Sequence, residues 1–545
     1  MKINKALLPL LLAAALFLSA CGTSGVLQSA SADSQTSQAT EEAADEATDE
    51  AAQTASQASA AEMFTDRDLE IGYDEETSAY IALTGEGAAC DSDAVRISDS
   101  TVTITEEGSY VLSGTLSDGS IVVQAEDTDK VQLVLDGVDI TSATSAAIYI
   151  LEADKVFITT VSGTENVLAN GGEYVAIDDN NIDAVVFSKA DLTLNGAGKL
   201  TVHAAAGHGI VSKDDLVLTS GTYSITAADQ GLSGKDSVRI ASGTYVIASG
   251  KDGIHAENEE DSSLGFLYIA GGDFTIDADG DGMSASAYLQ IEGGSFSITT
   301  GEGSASVSLS ADSMNAGQRG GFGNETASAQ EEDAVSQKGV KADGALTIAG
   351  GSFVTDTVDD SIHAGGDILI SQGKFQLRSG DDAIRSDAAV SIENGSFTID
   401  YCYEGIEGLS VTIYDGSFTI DSVDDGINAA GGADSSGFGG GAPGQDRFSA
   451  SSDSFITIYG GQFTIVSSGD CIDSNGDLTI QGGTLDLSCN SNGNTALDCD
   501  GTYTNEGGDV TTNDGSENNP GQMGGGQMGT MAAWDRAAAG AEPRP

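Results

Sequence analysis

Acidic residues recur in this chain at a fixed distance from an aromatic. Seven positions after the aromatic of each Gly-x-aromatic triplet stand Gln230, Asp252, Asp281, Gly303, Asp360, Asp382, Glu404, Asp425, Asp470 and Asn492. One position earlier stand Asp229, Asp359, Asp381 and Asp424. Such an array has two uses. Calcium takes about six to eight hard oxygen ligands from carboxylates, carbonyls and water. On that reading Asp252, Asp281, Asp359, Asp360, Asp381, Asp382, Glu404, Asp424, Asp425 and Asp470 are the metal-ligand candidates. Alternatively, each Asp is a corner residue whose side chain accepts a backbone N–H. Asn would serve that second role about as well, yet it fills a single slot, Asn492. Stacked about 4.8 Å apart, two carboxylates repel by roughly 1 kcal/mol in water and about 3.5 kcal/mol at an effective dielectric of 20. A run of them therefore opposes folding unless something neutralises it.

Other chemistry finds less support. His255 and His363 occupy one position, in "DGIHA" and "DSIHA", several repeats apart, and no Cys/His cluster has zinc spacing. Beyond Cys21, the cysteines Cys90, Cys402, Cys471, Cys489 and Cys499 are odd in number and spell no framework. β-Elimination on a uronate needs a cation and a basic side chain. Lys251, Arg385, Lys338 and Lys341 stand in or beside acid corners, but no corner gathers several of them. Sugar rings stack on aromatics. Tyr414 and Tyr459 share one outward position in adjacent repeats, where they stack on a sugar face or on each other as a structural ladder, and Tyr401 and Tyr403 lie in the corner beside Glu404; these four are the substrate-binding candidates. The sole tryptophan, Trp534, lies in the tail.

The elements that must hold these residues follow from the same ruler. The aromatic falls at Tyr223, Tyr245, Phe274, Phe296, Phe353, Phe375, Phe397, Phe418 and Phe463, with Leu485 as a last variant. The common gap is 22 residues, and the long gaps are one repeat plus an insertion. Glycine stands two positions before it in every copy, and an aliphatic five before. Ile or Leu stands two after it in all copies but that of Thr355, and an aliphatic nine after in most. Each copy thus holds three short alternating runs, such as "DILI", "KFQL" and "AIRS". Constant length with the same inward residue predicts strands stacked on their equivalents in the next copy. The fold is predicted as all-β, a right-handed parallel β-helix solenoid with ~22-residue coils and three short strands per coil. Less regular coils are expected over 63–200 and regular ones over 201–505. Insertions are placed near 257–264, 303–337 and 429–453, and a disordered Gly/Met/Asn-rich tail over 506–545.

Charge and the N-terminus bound the setting. Lys+Arg number 21 against 85 Asp+Glu, a formal net charge of −64. Such a chain repels nucleic acid and anionic membranes and attracts cations. Lys2 and Lys5, the apolar run Ala6–Leu18 and "LSAC" form a secretory signal. The Leu-Ser-Ala-Cys box resembles the bacterial lipoprotein signal, which implies a lipoprotein signal peptide over 1–21 with lipid attachment at Cys21 after cleavage. The expected place is the outer face of the cell membrane, held only through the lipid. Residues 22–62, rich in Ser, Ala, Gln and acid, read as a disordered tether.

The combination of this signal, the "GGSFTI…DDGI" coils, "KGVKADGALTIAGGSF" and the tail "GQMGGGQMG" resembles the bacterial carbohydrate-binding parallel β-helix family of the clostridial cellulose- and pectin-binding surface-protein type. The resemblance covers most of the chain after about residue 65. It implies a pectate-lyase-like fold, calcium as cofactor, and binding of acidic pectin-like or cellulosic polysaccharide by a monomer without cleavage. Calcium held on the acid face would bridge protein and polymer carboxylates. A calcium-dependent polysaccharide lyase, and a structural spacer or adhesin that binds a protein, are the alternatives.

Overall fold

The computed structural model describes residues 60–309, 335–430, 454–491 and 493–520. The lipidation candidate Cys21, nearly all of the tether, Asn492, Trp534 and most of the two long insertions lie outside them. Within them the chain winds as a parallel β-helix. One coil shows the plan. Its first strand, Ile368–Ile370, pairs in parallel with Leu346–Ile348 of the coil before and Ala389–Ile392 of the coil after. Its second, Lys374–Arg378, lies between Ser352–Asp356 and Ser396–Tyr401. Its third, Ile384–Ser386, lies between Ile362–Ala364 and Ile406–Gly408. Every strand is therefore hydrogen-bonded on both sides to its own equivalent.

The register explains the columns. The marker aromatics all point inward and stack on one another from Tyr223 to Phe463, with ring centroids 4.6–5.1 Å apart and planes within 10°. The aliphatic columns fill the rest of the interior, for instance Ile370, Leu377 and Ile384 of the coil above, all buried. The glycine column makes the corner before the second strand. All ten of these glycines have positive φ, from +94° to +150°, a region L side chains avoid. A Cβ on Gly373 would also lie 2.8 Å from the Phe375 ring.

Three boundaries differ from the sequence reading. The coils begin at Ala79, not at residue 63. Residues 63–72 instead run as a strap across the outer side of several first strands. Phe64 meets Tyr268 at a ring separation of 6.0 Å, Gly72 accepts a bond from Gln132, and between them Asp68 is buried. The tail does not begin at 506: Asp509–Thr512 pairs in parallel with Thr484–Leu487, because Val510 continues the inward column of Leu485. In the coil of Phe296, Gly303 is not in the acid column. The insertion separates it from its third strand, Val340–Ala342, which puts Lys338 in that position instead.

Candidate functional site

The acid column forms the corner between second and third strands. The second strand ends near the paired acids, and the third begins two residues after the column residue with a buried aliphatic such as Ile362 or Ile384. The column aspartates divide two tasks between their two oxygens, whereas both oxygens of Glu404 are taken by Asn428. One aspartate oxygen accepts the backbone N–H of the column residue in the next coil: Asp281 to Asp252 at 2.8 Å, Lys338 to Asp281 at 2.8 Å, Asp382 to Asp360 at 3.1 Å, Glu404 to Asp382 at 3.0 Å and Asp470 to Asp425 at 2.5 Å. Lys338 has no acceptor to offer, and there Asp359 accepts the N–H of Asp360 instead. The capping role is thus real, and it stitches coil to coil.

At Asp252, Asp360 and Asp382 the second oxygen meets the residue three positions on, the outward middle residue of the third strand. These outward residues form their own column: Ser233, His255, Ser284, Lys341, His363, Arg385, Glu407, Asn428 and Asp473. Up to Arg385 it is largely cationic. His255 Nδ1 lies 2.7 Å from Asp252, His363 Nδ1 2.8 Å from Asp360, and Arg385 3.2 Å from Asp382. Lys338 adds contacts of 2.6 Å to Asp359 and 2.9 Å to Asp360. Burial would raise the Asp360 carboxyl, but the Lys338 ammonium, His363 and Arg385 hold it well below the carboxylate range. Burial likewise opposes charge on Lys338, and Asp360 and Asp359 override it, so this lysine stays protonated.

Beyond Arg385 the outward column runs Glu407, Asn428, Asp473; Arg385 still pairs with Glu407 at 3.1 Å, and compensation stops after it. Among the described residues no Lys, Arg or His forms an ion pair with Asp425, Asp470, Asp473 or Asp498. Burial and the charges of Asp473, Asp424 and Asp470 push Asp425 well above the carboxylate range. Burial and Asp473 push Asp470 up to about 8; burial, Asp498 and Asp500 push Asp473 up to about 7. Three clusters bring carboxylate oxygens within 4.8 Å of one another: Asp359–Asp360–Asp381, Asp382–Glu404–Glu407 and Asp470–Asp473–Asp498. In the first, burial and the charges of Asp382, Asp360 and Asp359 push Asp381 up to about 9. Buried Asn428 gives its amide N–H groups to both oxygens of Glu404, at 3.1 and 3.0 Å. Its Oδ1, turned away from Glu404, has no partner. In register it stands between Glu407 and Asp473. A carboxamide oxygen beside crowded carboxylates is the donor set a hard cation takes.

The sequence reading overlooked Glu407, Asn428, Asp473 and Asp498. Its signal was the acid column alone, whereas Glu407, Asn428 and Asp473 stand three positions after a column residue and Asp498 six after Asn492. Asp424 belongs to the corner and accepts the Tyr403 hydroxyl at 2.6 Å. The Tyr401 hydroxyl is likewise engaged, with Val307 O at 2.9 Å. Both rings of that pair are anchored within the protein. Tyr414 and Tyr459 are 47% and 43% exposed and stack on each other at 4.9 Å with planes 5° apart. Lys251, Lys338, Lys341 and Arg385, the basic groups an elimination would call on, are all held by carboxylates.

Coils of this kind with ordered corner columns define a parallel β-helix repeat protein. The chain belongs to the carbohydrate-binding domain-containing protein family, whose model matches residues 98–383, 364–443 and 381–536. A curated "Carbohydrate-binding domain-containing protein" of Acetivibrio thermocellus is 38% identical over 155 residues, 28% of this chain. The match spans about half of that relative, 54% of its length. A solved "polysaccharide lyase-like protein from C. thermocellum", a gadolinium derivative, is 36% identical. That match covers 41% of this chain and 92% of the other with a TM-score of 0.40.

Proposed function

We propose that this chain is a surface lipoprotein, lipidated at Cys21, that holds calcium between its coils and binds acidic or cellulosic polysaccharide without cleaving it. The family supports carbohydrate binding. The observation that carries calcium is the change along one corner, from carboxylates matched by His255, Lys338, His363 and Arg385 to carboxylates with no matching cation at Asp425, Asp470, Asp473 and Asp498. A divalent ion there would offset charges that otherwise oppose folding. Asp470, Asp473, Asp498 and the Asn428 oxygen would hold it. Bound calcium supplies the positive charge through which a polymer carboxylate is drawn to an acidic protein. Binding without cleavage is supported by the basic side chains: Lys338 is fixed as an ammonium and is no proton acceptor.

The test uses the full chain with calcium or EDTA. Calcium should raise the melting temperature, since a ligand held only by the folded state stabilises it by mass action, by about 2.7 kcal/mol at a hundredfold excess over Kd. Retention on polygalacturonate should rise with it, and no unsaturated uronate absorbance should appear. A protein indifferent to calcium in both readings ends the calcium proposal, and growing absorbance replaces the binder with a lyase.

A further inference from the structure

A second surface lies on a different corner. Between first and second strands, the glycine column leaves the coil edge without side chains. In the coils of Phe397, Phe418, Phe463 and Leu485 this edge opens into a trough of about 450 Å³. Asn394 and Asp415 line one side, and Ser417, Gln462 and Thr484 the other. The glycine floor cannot be filled by substitution: a Cβ on Gly416 would lie 2.9 Å from the Phe418 ring and 3.0 Å from Gly395 O. Asn394 and Asp415 each turn one oxygen back to the N–H of their own glycine, at 2.7 and 2.8 Å. The amide of Asn394 and the other oxygen of Asp415 remain for a ligand. Tyr414 directly precedes Asp415, and Tyr459 precedes the glycine pair of the next coil, so the exposed tyrosine stack stands beside this trough.

The lining chemistry is specific. It offers hydroxyl, carboxamide and carboxylate groups from successive coils, and the tyrosine stack adjoins it in sequence at Asp415 and Gly461. It offers no Lys or Arg, and its single charge is the negative Asp415. That suits a polyhydroxy chain with no charge of its own and disfavours a uronate. The acid corner has the reverse character, carboxylates that take a cation.

We infer that this trough is a binding site for a neutral glycan, with Tyr414 and Tyr459 as its aromatic edge and Asn394, Asp415, Ser417 and Gln462 as its hydrogen-bonding groups. The inference rests on the carbohydrate-binding reading and adds a site separate from the calcium corner. A glycan lying along it meets equivalent groups in successive coils, so affinity grows with chain length until the trough is spanned.

The experiment is affinity electrophoresis of the full chain in gels holding soluble hydroxyethylcellulose or polygalacturonate, each with calcium or EDTA. The variants are Tyr414→Ala/Tyr459→Ala and Asp415→Ala/Gln462→Ala. All four residues are exposed, so melting should match the parent. Each variant should weaken retardation by the neutral glucan about tenfold, ~1.4 kcal/mol, and leave that by polygalacturonate unchanged. The parent's retardation by the neutral glucan should survive EDTA. Variants that bind the glucan like the parent overturn the site, as does a parent held only by polygalacturonate; in both cases carbohydrate binding itself stands. A parent held by neither polymer overturns the site and the carbohydrate-binding proposal together.

Discussion

At the residue scale, one column asks two different things of the same side chain. Asp360 and Asp425 both have their place in the corner. Asp360 faces Lys338 and His363, so Asp360→Asn removes one of the two counter-charges of a buried ammonium, leaving Asp359, and takes the carboxylate from His363. Breaking a buried pair costs about 3–5 kcal/mol, and melting in EDTA should fall accordingly. Asp425 faces Asp473, Asp424 and Asp470 and gives its acceptor oxygen to the Asp470 N–H. Asn retains that acceptor without the charge. Asp425→Asn should therefore raise stability in EDTA at neutral pH, on the order of 1–2 kcal/mol, whereas Asp473→Asn should lose most of the gain that calcium gives the parent. Equal effects of the Asp360 and Asp425 substitutions would mean that the column is uniform along its length.

At the element scale, the strap and the aromatic stack carry separate tests. Asp68 in the strap is buried against Lys155 at 2.8 Å and accepts the Thr193 hydroxyl at 2.6 Å. Burial would raise its carboxyl; Lys155, Thr193 and Thr65 bring it down from 3.8 to about 2. A depressed folded value adds stability above the unfolded value, lost as pH falls through the folded one. Parent and Asp68→Asn should thus differ by about 2 kcal/mol at pH 6, with the gap closing between pH 4 and 2 in acid-unfolding curves. In the stack, Phe375 is sandwiched between Phe353 and Phe397. Phe375→Ala should cost about 3–5 kcal/mol by leaving a cavity. Phe375→Leu should cost less, since Leu485 and Val510 already continue this column. Urea unfolding of the two variants measures the difference.

At the scale of the whole molecule, the charge of −64 dominates. Like charges on a folded chain repel, and salt screens them over a Debye length of about 10 Å at 0.1 M. In EDTA, melting temperature should climb with sodium chloride and level off near that ionic strength. Calcium at a hundredth of that concentration should give a larger gain, since site binding differs from screening. Cys21→Ala should convert a membrane-associated protein into a released one on cell fractionation, and continued association would sink the lipoprotein proposal.

The coil, its three strands, its inward columns and its glycine corner were legible in the sequence. A parallel β-helix sets each residue beside its equivalent one repeat away, so neighbours in space are also a fixed distance apart in sequence. The acid column was legible for the same reason. What met it was not: whether Asp360 finds Lys338 or Asp425 finds Asp473 depends on the neighbouring outward column, whose residue types follow no period. That Lys338 and Lys341 stand at the corner after the long insertion was legible; that Lys338 takes the column position in place of Gly303 came from strand pairing. The strap was invisible because Asp68 and Thr193 are 125 residues apart, and "TDRDLE" alone reads as surface. Periodic contacts are written in the sequence because repetition marks them. Contacts between unlike segments leave no such mark, and only the closed tertiary structure decides which charges are matched.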